Sequence, residues 1–511
     1  MKKIFLILVV LGSFTFYSCE ETTEIIQDGE INDLKTFTST NQMKLFLSEA
    51  YDRIMGAAAA STLNEIGVSS ILTDEVGVGR NGIATDMYRY NVNITNGYSS
   101  QIWLDNYTVI NYCNRLIRGS SLVSPVNSAD AIVYNDIIAQ ARALRAYSYM
   151  QLLTFFSPDL KNNNALGVVL LDRVPTILEK LQRSNNGACF ALIESDLNFA
   201  DDNIQTSTQT RPWTYVSKSM INALRARMYA YRGQYTLAEN FANIAMSTSG
   251  VSLTNGTTYT TSAAFYGTVS NNAYKQMFQD VVRGEVIWSV GRSLGKQSIV
   301  STYFVNASNV AGISTWDMGR NLFNILDNNG APWDIRRRVN IDPTAVIDPN
   351  YLTSTNYTFS DCLALDKYSG IAGAQLVNDI KAFRISEMLL IRAEARAAAN
   401  DLPGVATILK TIRDSRSYTG ARPLPVYSNV TEAWADILLE RRVELCYEGH
   451  RLIDLKRLGA LAGQGLDRNT RDVDFYNISV TNLPLTDYRF TLPIPQNEIS
   501  GNPTIQQNPG Y

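Results

Sequence analysis

The chain carries 48 acidic side chains but one histidine, which narrows the chemistry available to it. Imidazole-based acid–base catalysis has a single candidate, His450, and it lies inside a charged helical cluster with Glu444, Glu448, Arg451 and Asp454, where a structural role is expected. A metal centre lacks a donor set. Cys113, Cys189, Cys362 and Cys446 match no ligand spacing, and Cys113 and Cys446 sit among apolar neighbours as small buried hydrophobes would. Asp327, Asn329 and Gly330 imitate a calcium loop, but the glycine comes two positions too early and no glutamate closes the loop. Gly77, Gly79 and Gly82 spell G-x-G-x-x-G. A dinucleotide site would need a strand before that motif, a helix opening at it and an acid further on, whereas the polar stretch Ile83 to Ser100 offers no helix. The glycines read as shaping a loop. No metal and no cofactor is expected, and the chain is read as a non-enzyme. Glycoside hydrolysis is the enzymatic alternative, because it needs only two carboxylates at a set separation.

What remains is recognition by rings. The 27 Tyr and 6 Trp offer flat, amphipathic faces that stack on sugar rings or peptide side chains. Two stretches, 74–100 and 251–379, are rich in Gly, Asn, Ser, Thr and aromatic residues and short of helical periodicity, as loops carrying a binding site are. Arg80, Tyr88, Tyr90, Tyr98, Tyr303 and Trp316 fall in these stretches and are the candidate ligand-binding residues, forming a shallow platform with guanidinium and amide hydrogen bonds around it. Such a site leaves much of its ligand in water, so binding is expected to be weak, micromolar to millimolar. Trp103 differs, since Leu104, Tyr107, Ile110 and Leu116 place it on a helix core. With 45 basic against 48 acidic residues, nothing pulls the chain toward nucleic acid.

The elements that must position these residues read as paired helices. Apolar residues recur at helical spacing from Asp130 to Phe156, and Lys218 to Ser249 places Ala226, Tyr229, Gly233, Tyr235, Ala238 and Ala245 at offsets like those of a tetratricopeptide repeat. Further pairs are predicted at Phe383 to Asn400 with Pro403 to Ser417, and at Thr431 to Tyr447 with Gly449 to Gly459, with Gly404 and Gly449 marking changes of direction. In the loop-rich stretch, Glu285 to Val290 suits a strand and Asn321 to Asp327 a helix. The fold class is mostly α: a tetratricopeptide-repeat-like helical superhelix with a loop-rich ligand-binding portion and little β. Lys2 and Lys3, an apolar run from Ile4 to Gly12, and Cys19 followed by Glu20 and Glu21 lay out a lipoprotein signal, with Cys19 as the lipidation site. A multiply acylated cysteine would anchor the chain to a membrane. The division follows: signal peptide 1–18, polar tether 19–40, and a body 41–511. Within the body lie a helical scaffold at about 41–250 and 380–470, the loop-rich segment at about 251–379 and an extended tail 471–511.

The C-terminal third resembles the SusD/RagB family. The residues that carry the likeness are Glu440, Arg441, Arg442, Glu444, Leu445, Glu448, Gly449, Arg451, Asp454, Leu455, Lys456 and Arg457, with the terminal run Leu492-Pro493-Ile494-Pro495, Asn502-Pro503 and Gln507-Asn508-Pro509-Gly510-Tyr511. Asp74-Glu75, Trp103 with Tyr107 and Asn114, and Arg384 with Glu387 and Glu394 fit as well. The resemblance implies a surface-exposed lipoprotein on the outer leaflet of the outer membrane that captures oligosaccharides or peptides for a SusC-like TonB-dependent porin. A lid that gates that porin with little affinity of its own is the alternative. On a helix, Arg441 with Glu444, Glu448 with Arg451 and Arg451 with Asp454 would neighbour one another as local ion pairs.

Overall fold

The structure is a computed structural model that describes residues 33–55, 61–80, 82, 84–176, 179–259, 271–292, 314–343, 345–355, 357–371, 374–375, 377–474 and 480–511. Cys19 lies outside the described residues. The fold is mostly helical. The principal helices are α1 (Thr40–Met55), α2 (Ser61–Ile71), α3 (Gly97–Ser120), α4 (Ser128–Phe156), α5 (Asn186–Asn203), α6 (Lys218–Tyr231), α7 (Tyr235–Ser249), α8 (Arg320–Asp327), α9 (Ile385–Ala398), α10 (Leu402–Arg416), α11 (Val430–Glu444) and α12 (Arg451–Ala462). Their starts are chemically marked. Asn96, Asn127, Asn185, Ser217 and Asn429 each accept a hydrogen bond from a first-turn backbone N–H, satisfying donors that the helix itself cannot.

Four pairs, α3–α4, α6–α7, α9–α10 and α11–α12, pack through short connections. The packed helices α6 and α7 both bury small residues, Ala223, Ala226 and Ala230 on one and Ala238, Ala242 and Ala245 on the other, and small residues let helix backbones approach closely. Gly233 and Gly449 hold φ of 71° and 88°, left-handed values suited to glycine, where the chain reverses. Gly404, expected to mark another reversal, lies instead in the first turn of α10, and the reversal is made by Asn400 at φ 59°. Phe37 is fully buried, so the polar tether expected up to residue 40 is already anchored in the core before α1 begins.

Strands are few and short. Among the described residues they form four antiparallel two-stranded ribbons: β1 (Val76–Val78) with β5 (Trp316–Met318), β2 (Leu166–Val169) with β3 (Arg183–Asn185), β4 (Val286–Val290) with β8 (Ile380–Arg384), and β6 (Gly370–Ile371) with β7 (Ala374–Gln375). The expected strand at Glu285 to Val290 and helix at Asn321 to Asp327 appear as β4 and α8. The loop-rich segment also holds short helices at Ala273–Phe278 and Ile335–Asn340. The tail expected to be extended contains short helices at Arg471–Asp474 and Gln496–Gly501 and a 3-10 turn at Tyr488–Phe490, and it ends in a turn, with Tyr511 N donating to Asn508 O at 3.4 Å and Gly510 at φ 97°.

A belt of buried ions joins the two halves. The chain leaves helix after Glu444 and re-enters it at Arg451, which turns the charged cluster onto different partners from those its spacing suggests. The expected local pairs give way to distant ones. Glu444 accepts from Arg336, Arg384 and Arg416, each at 2.9 Å; Glu285 accepts from Arg384 at 2.6 Å and Arg416 at 2.9 Å; Arg441 donates to Asp454 at 2.7 Å. Arg451 donates to Asp74 at 2.8 Å. Burial alone would raise the Asp74 carboxyl, but Arg442 and Arg451 hold it far below the carboxylate range. This latch fixes the start of β1 against α12. His450 is buried at the cap of α12 with its Nδ1 3.4 Å from Arg441 Nη2, and burial among four arginines keeps it neutral.

Candidate functional site

The β1–β5 ribbon brings the two loop-rich stretches together: Val76 pairs with Met318, Gly77 with Asp317 and Val78 with Trp316. The three glycines serve this approach. A Cβ on Gly79 would lie 2.4 Å from Ser314 O, one on Gly82 would lie 2.1 Å from Thr315 O, and one on Gly77 would lie 2.8 Å from Asp472 Oδ1. The G-x-G-x-x-G run is therefore a close-packing motif. Two carboxylates lie beneath it. Asp317 accepts from Ser314 Oγ and Asp472 accepts from Arg320 N at 3.0 Å; burial pushes both up to about 7.

Of the six residues expected to form the platform, the ribbon gathers four. Trp316 and Tyr88 pack with ring centroids 5.2 Å apart, and the Arg468 guanidinium stacks 4.0 Å from Tyr88 and 4.3 Å from Tyr90. Trp316 is only 2% exposed, Tyr88 and Tyr90 are equally buried, and their hydroxyls are spent on Asp472 O and Thr481 O. Burial thus removes Tyr88, Tyr90 and Trp316 from any surface platform. Tyr90 adopts φ 61°, a left-handed value rare for a large residue, and burial pushes its phenol up to about 12. Tyr98 is half-buried against the core in the first turn of α3. Tyr303 lies outside the described residues.

Among the described candidates, Arg80 alone is fully in the open. Its guanidinium sits 5.0 Å from the centroid of Phe359, a ring that is 45% exposed. Phe359 belongs to the short helix Tyr357–Ser360, and the neighbouring loop, 345–355, also exposes Val346, Ile347 and Leu352, the last 63% exposed. Composition did not single out this loop, although Asp348-Pro349-Asn350 is turn chemistry beside an apolar pair, and that signal was available. The loop is braced from below. Val346 and Cys362 exchange backbone hydrogen bonds at 2.7 and 3.1 Å, Asp348 accepts from Asn350 N at 2.8 Å and Ser360 Oγ at 3.0 Å, and Arg471 donates to Tyr351 O at 3.0 Å and to Ser354 O. These bonds, the one from Asn350 N first, hold the Asp348 carboxyl below its ordinary value. Arg320 stacks 3.8 Å over Tyr351 while pairing with Asp361 at 2.6 Å. The result is a fixed apolar and aromatic ledge with one guanidinium beside it, suited to stacking and hydrogen bonding.

Among the described residues no group of three or more His, Cys, Asp or Glu is placed to hold a metal ion, and Cys113, Cys189, Cys362 and Cys446 are buried free thiols. No described helix is long and apolar enough to cross a membrane.

Known proteins resemble the chain over most of its length. Residues 334–511 match the model of the SusD family, and residues 30–230 match a second model described as starch-binding associating with outer membrane. Two SusD-like proteins of Formosa agariphila are each 22% identical to it, over 89% and 85% of the chain and 90% and 85% of their own lengths. A SusD superfamily protein from Bacteroides thetaiotaomicron superposes with a TM-score of 0.71 at 22% identity, covering 92% of this chain and all of that one. A SusD-like carbohydrate binding protein from Bacteroides vulgatus superposes with a TM-score of 0.61 at 20% identity, covering 85% of each chain. With both ends matched by SusD models and the whole fold shared, the chain belongs to the SusD family.

Proposed function

We propose that the protein is a non-catalytic, surface-exposed lipoprotein, anchored through Cys19, that captures oligosaccharides and passes them to a SusC-like TonB-dependent transporter of the outer membrane. The observation that carries this reading is the braced ledge 345–360 with Arg80 stacked on Phe359, a ring and a guanidinium held ready beside the ribbon that joins the two loop-rich stretches. Family membership supports it, as do a fold neighbour named as a carbohydrate binding protein and a matching model whose description mentions association with the outer membrane. Sugars are favoured over peptides because the ledge offers exposed apolar and aromatic faces, the chemistry of ring stacking. Burial of Tyr88, Tyr90 and Trp316 narrows the site to Arg80, Phe359 and their neighbours, and keeps binding weak.

Retardation on affinity gels cast with candidate polysaccharides tests this reading. Retardation by at least one neutral glycan, lost in Phe359→Ala, is the expected result. Copurification with a large β-barrel but no retardation by any glycan and no binding to peptide mixtures would favour a gating lid instead, and cleavage of a bound glycan would overturn the non-catalytic assignment.

A further inference from the structure

A second cavity, of about 530 Å³, opens far from the ledge, between the turn after α4, helix α12, the segment 485–491 and the C-terminal Asn508 and Pro509. That volume is within the ~300–1,000 Å³ usual for small-molecule sites. One side is apolar, with Leu160, Ile453, Leu485 and Phe490, and Tyr488 stands partly exposed beside them.

Its charges do not balance locally. Arg457 is saturated by Glu394 and Asp454, and Asp487 is taken up by Arg489 at 2.7 Å. Asp159 spends a carboxylate oxygen on the Lys161 backbone N–H at 3.0 Å. Lys456 Nζ donates to Ser157 O at 2.6 Å and Thr491 Oγ1 at 2.7 Å, both neutral acceptors, and Lys161 Nζ donates to Arg457 O at 3.3 Å. Two ammonium groups thus line one cavity, and among the described residues neither is bonded to a carboxylate. An ammonium held among neutral acceptors in a confined space gains most from an anion that brings its own oxygens.

We propose that this cleft binds a small carboxylate-bearing molecule, its carboxylate against Lys456 with Lys161 as the second cation, and its body along Leu485 and Tyr488. A hexuronate unit of an acidic glycan and the carboxyl end of a short peptide share that chemistry. The site is independent of the ledge, since none of its lining residues belongs to 345–360. Burial presses the Lys456 ammonium down to about 7, with Asp159 opposing. Asp159, Lys161, Arg457 and Asp487 are the charged groups facing it from the surrounding segments. A bound carboxylate stabilises the charged ammonium, so binding takes up a proton near neutral pH and weakens as pH rises past that value.

Calorimetry on the purified full chain with digalacturonate, with an apolar dipeptide and with a neutral disaccharide tests the proposal, each in two buffers of different ionisation enthalpy. Proton-linked binding of one of the two acids is expected, weakened about tenfold or more by Lys456→Gln, as the loss of a charge-assisted hydrogen bond implies. Which acid binds identifies the source. Because Lys456 also ties Ser157 to Thr491, Lys161→Gln at an exposed position is the second variant; it should weaken the same acid while leaving the unfolding midpoint in place. Failure of both acids to bind, binding untouched by either substitution, equal binding of the neutral disaccharide, or loss of acid binding in Phe359→Ala would each overturn it.

Discussion

Two arginine–aromatic stacks near the β1–β5 ribbon do opposite things. Arg468 lies over Tyr88 and Tyr90 and spends its N–H groups on three backbone carbonyls, Thr73 O at 2.7 Å, Tyr88 O at 2.8 Å and Ile71 O at 2.6 Å. Arg80 lies over Phe359, exposed, and its guanidinium makes no hydrogen bond to a described residue. The ring contact is common to both. What separates scaffold from recognition surface is whether the donors are already engaged. A guanidinium whose donors engage no described residue, beside a half-exposed ring, is a surface waiting for hydroxyls, whereas a buried one with its donors used is a clamp.

The contrast is sharpest at the ionic belt, where engagement is complete and its loss should cost most. Glu444→Gln would leave Arg336, Arg384 and Arg416 facing a neutral amide in the interior. Breaking a buried pair by removing one partner costs about 3–5 kcal/mol, so the urea midpoint followed by circular dichroism should fall sharply or the variant should fail to accumulate. A midpoint equal to that of the parent would mean that the belt is hydrated and contributes orientation without stability.

Arg468→Met comes next. Up to three carbonyls lose their donor, at about 1–3 kcal/mol for a buried group left unsatisfied, while the methionine retains part of the packing against Tyr88 and Tyr90. A midpoint lowered less than by Glu444→Gln, together with weaker glycan binding, is expected. Glycan binding that falls with no loss of stability would make Arg468 a contact residue and dissolve the distinction between the two stacks.

Helices were legible because their signals are local. Apolar spacing at Asp130 to Phe156 and at Lys218 to Ser249 located α4, α6 and α7 to within a few residues, and the charged helix and terminal prolines carried the family resemblance. The site was legible only as two stretches of chain. Tyr88 and Trp316 have the composition of loop residues, yet the β1–β5 register buries Trp316 and Tyr88 packs against it, and three-residue strands leave almost no period-two pattern to read. The ion pairs failed for a related reason: Arg441 and Glu444 are three apart, but the break at 445–450 sends Arg441 to Asp454 and Glu444 to residues up to 108 positions away. Phe359 was passed over because no local feature of a phenylalanine announces that its ring will remain exposed.

The smallest effect on stability is the most informative about function. Arg80→Ala and Phe359→Ala remove groups that support nothing beneath them, since the loop is held by Val346 with Cys362, by Asp348 and by Arg471. Unfolding midpoints should shift by no more than the equivalent of about 0.5 kcal/mol, as for surface positions generally. Glycan affinity, read by calorimetry on whichever polysaccharide fragment retards the parent, should fall about three- to tenfold for each, the scale of one exposed ring or cation–ring contact. Arg80→Lys keeps the charge but loses the planar fork, so it should recover less than half of the loss if the guanidinium both stacks and donates. Should Arg80→Ala destabilise the chain as much as Arg468→Met does, Arg80 would be a second clamp, and the recognition surface would have to be sought elsewhere on the ribbon.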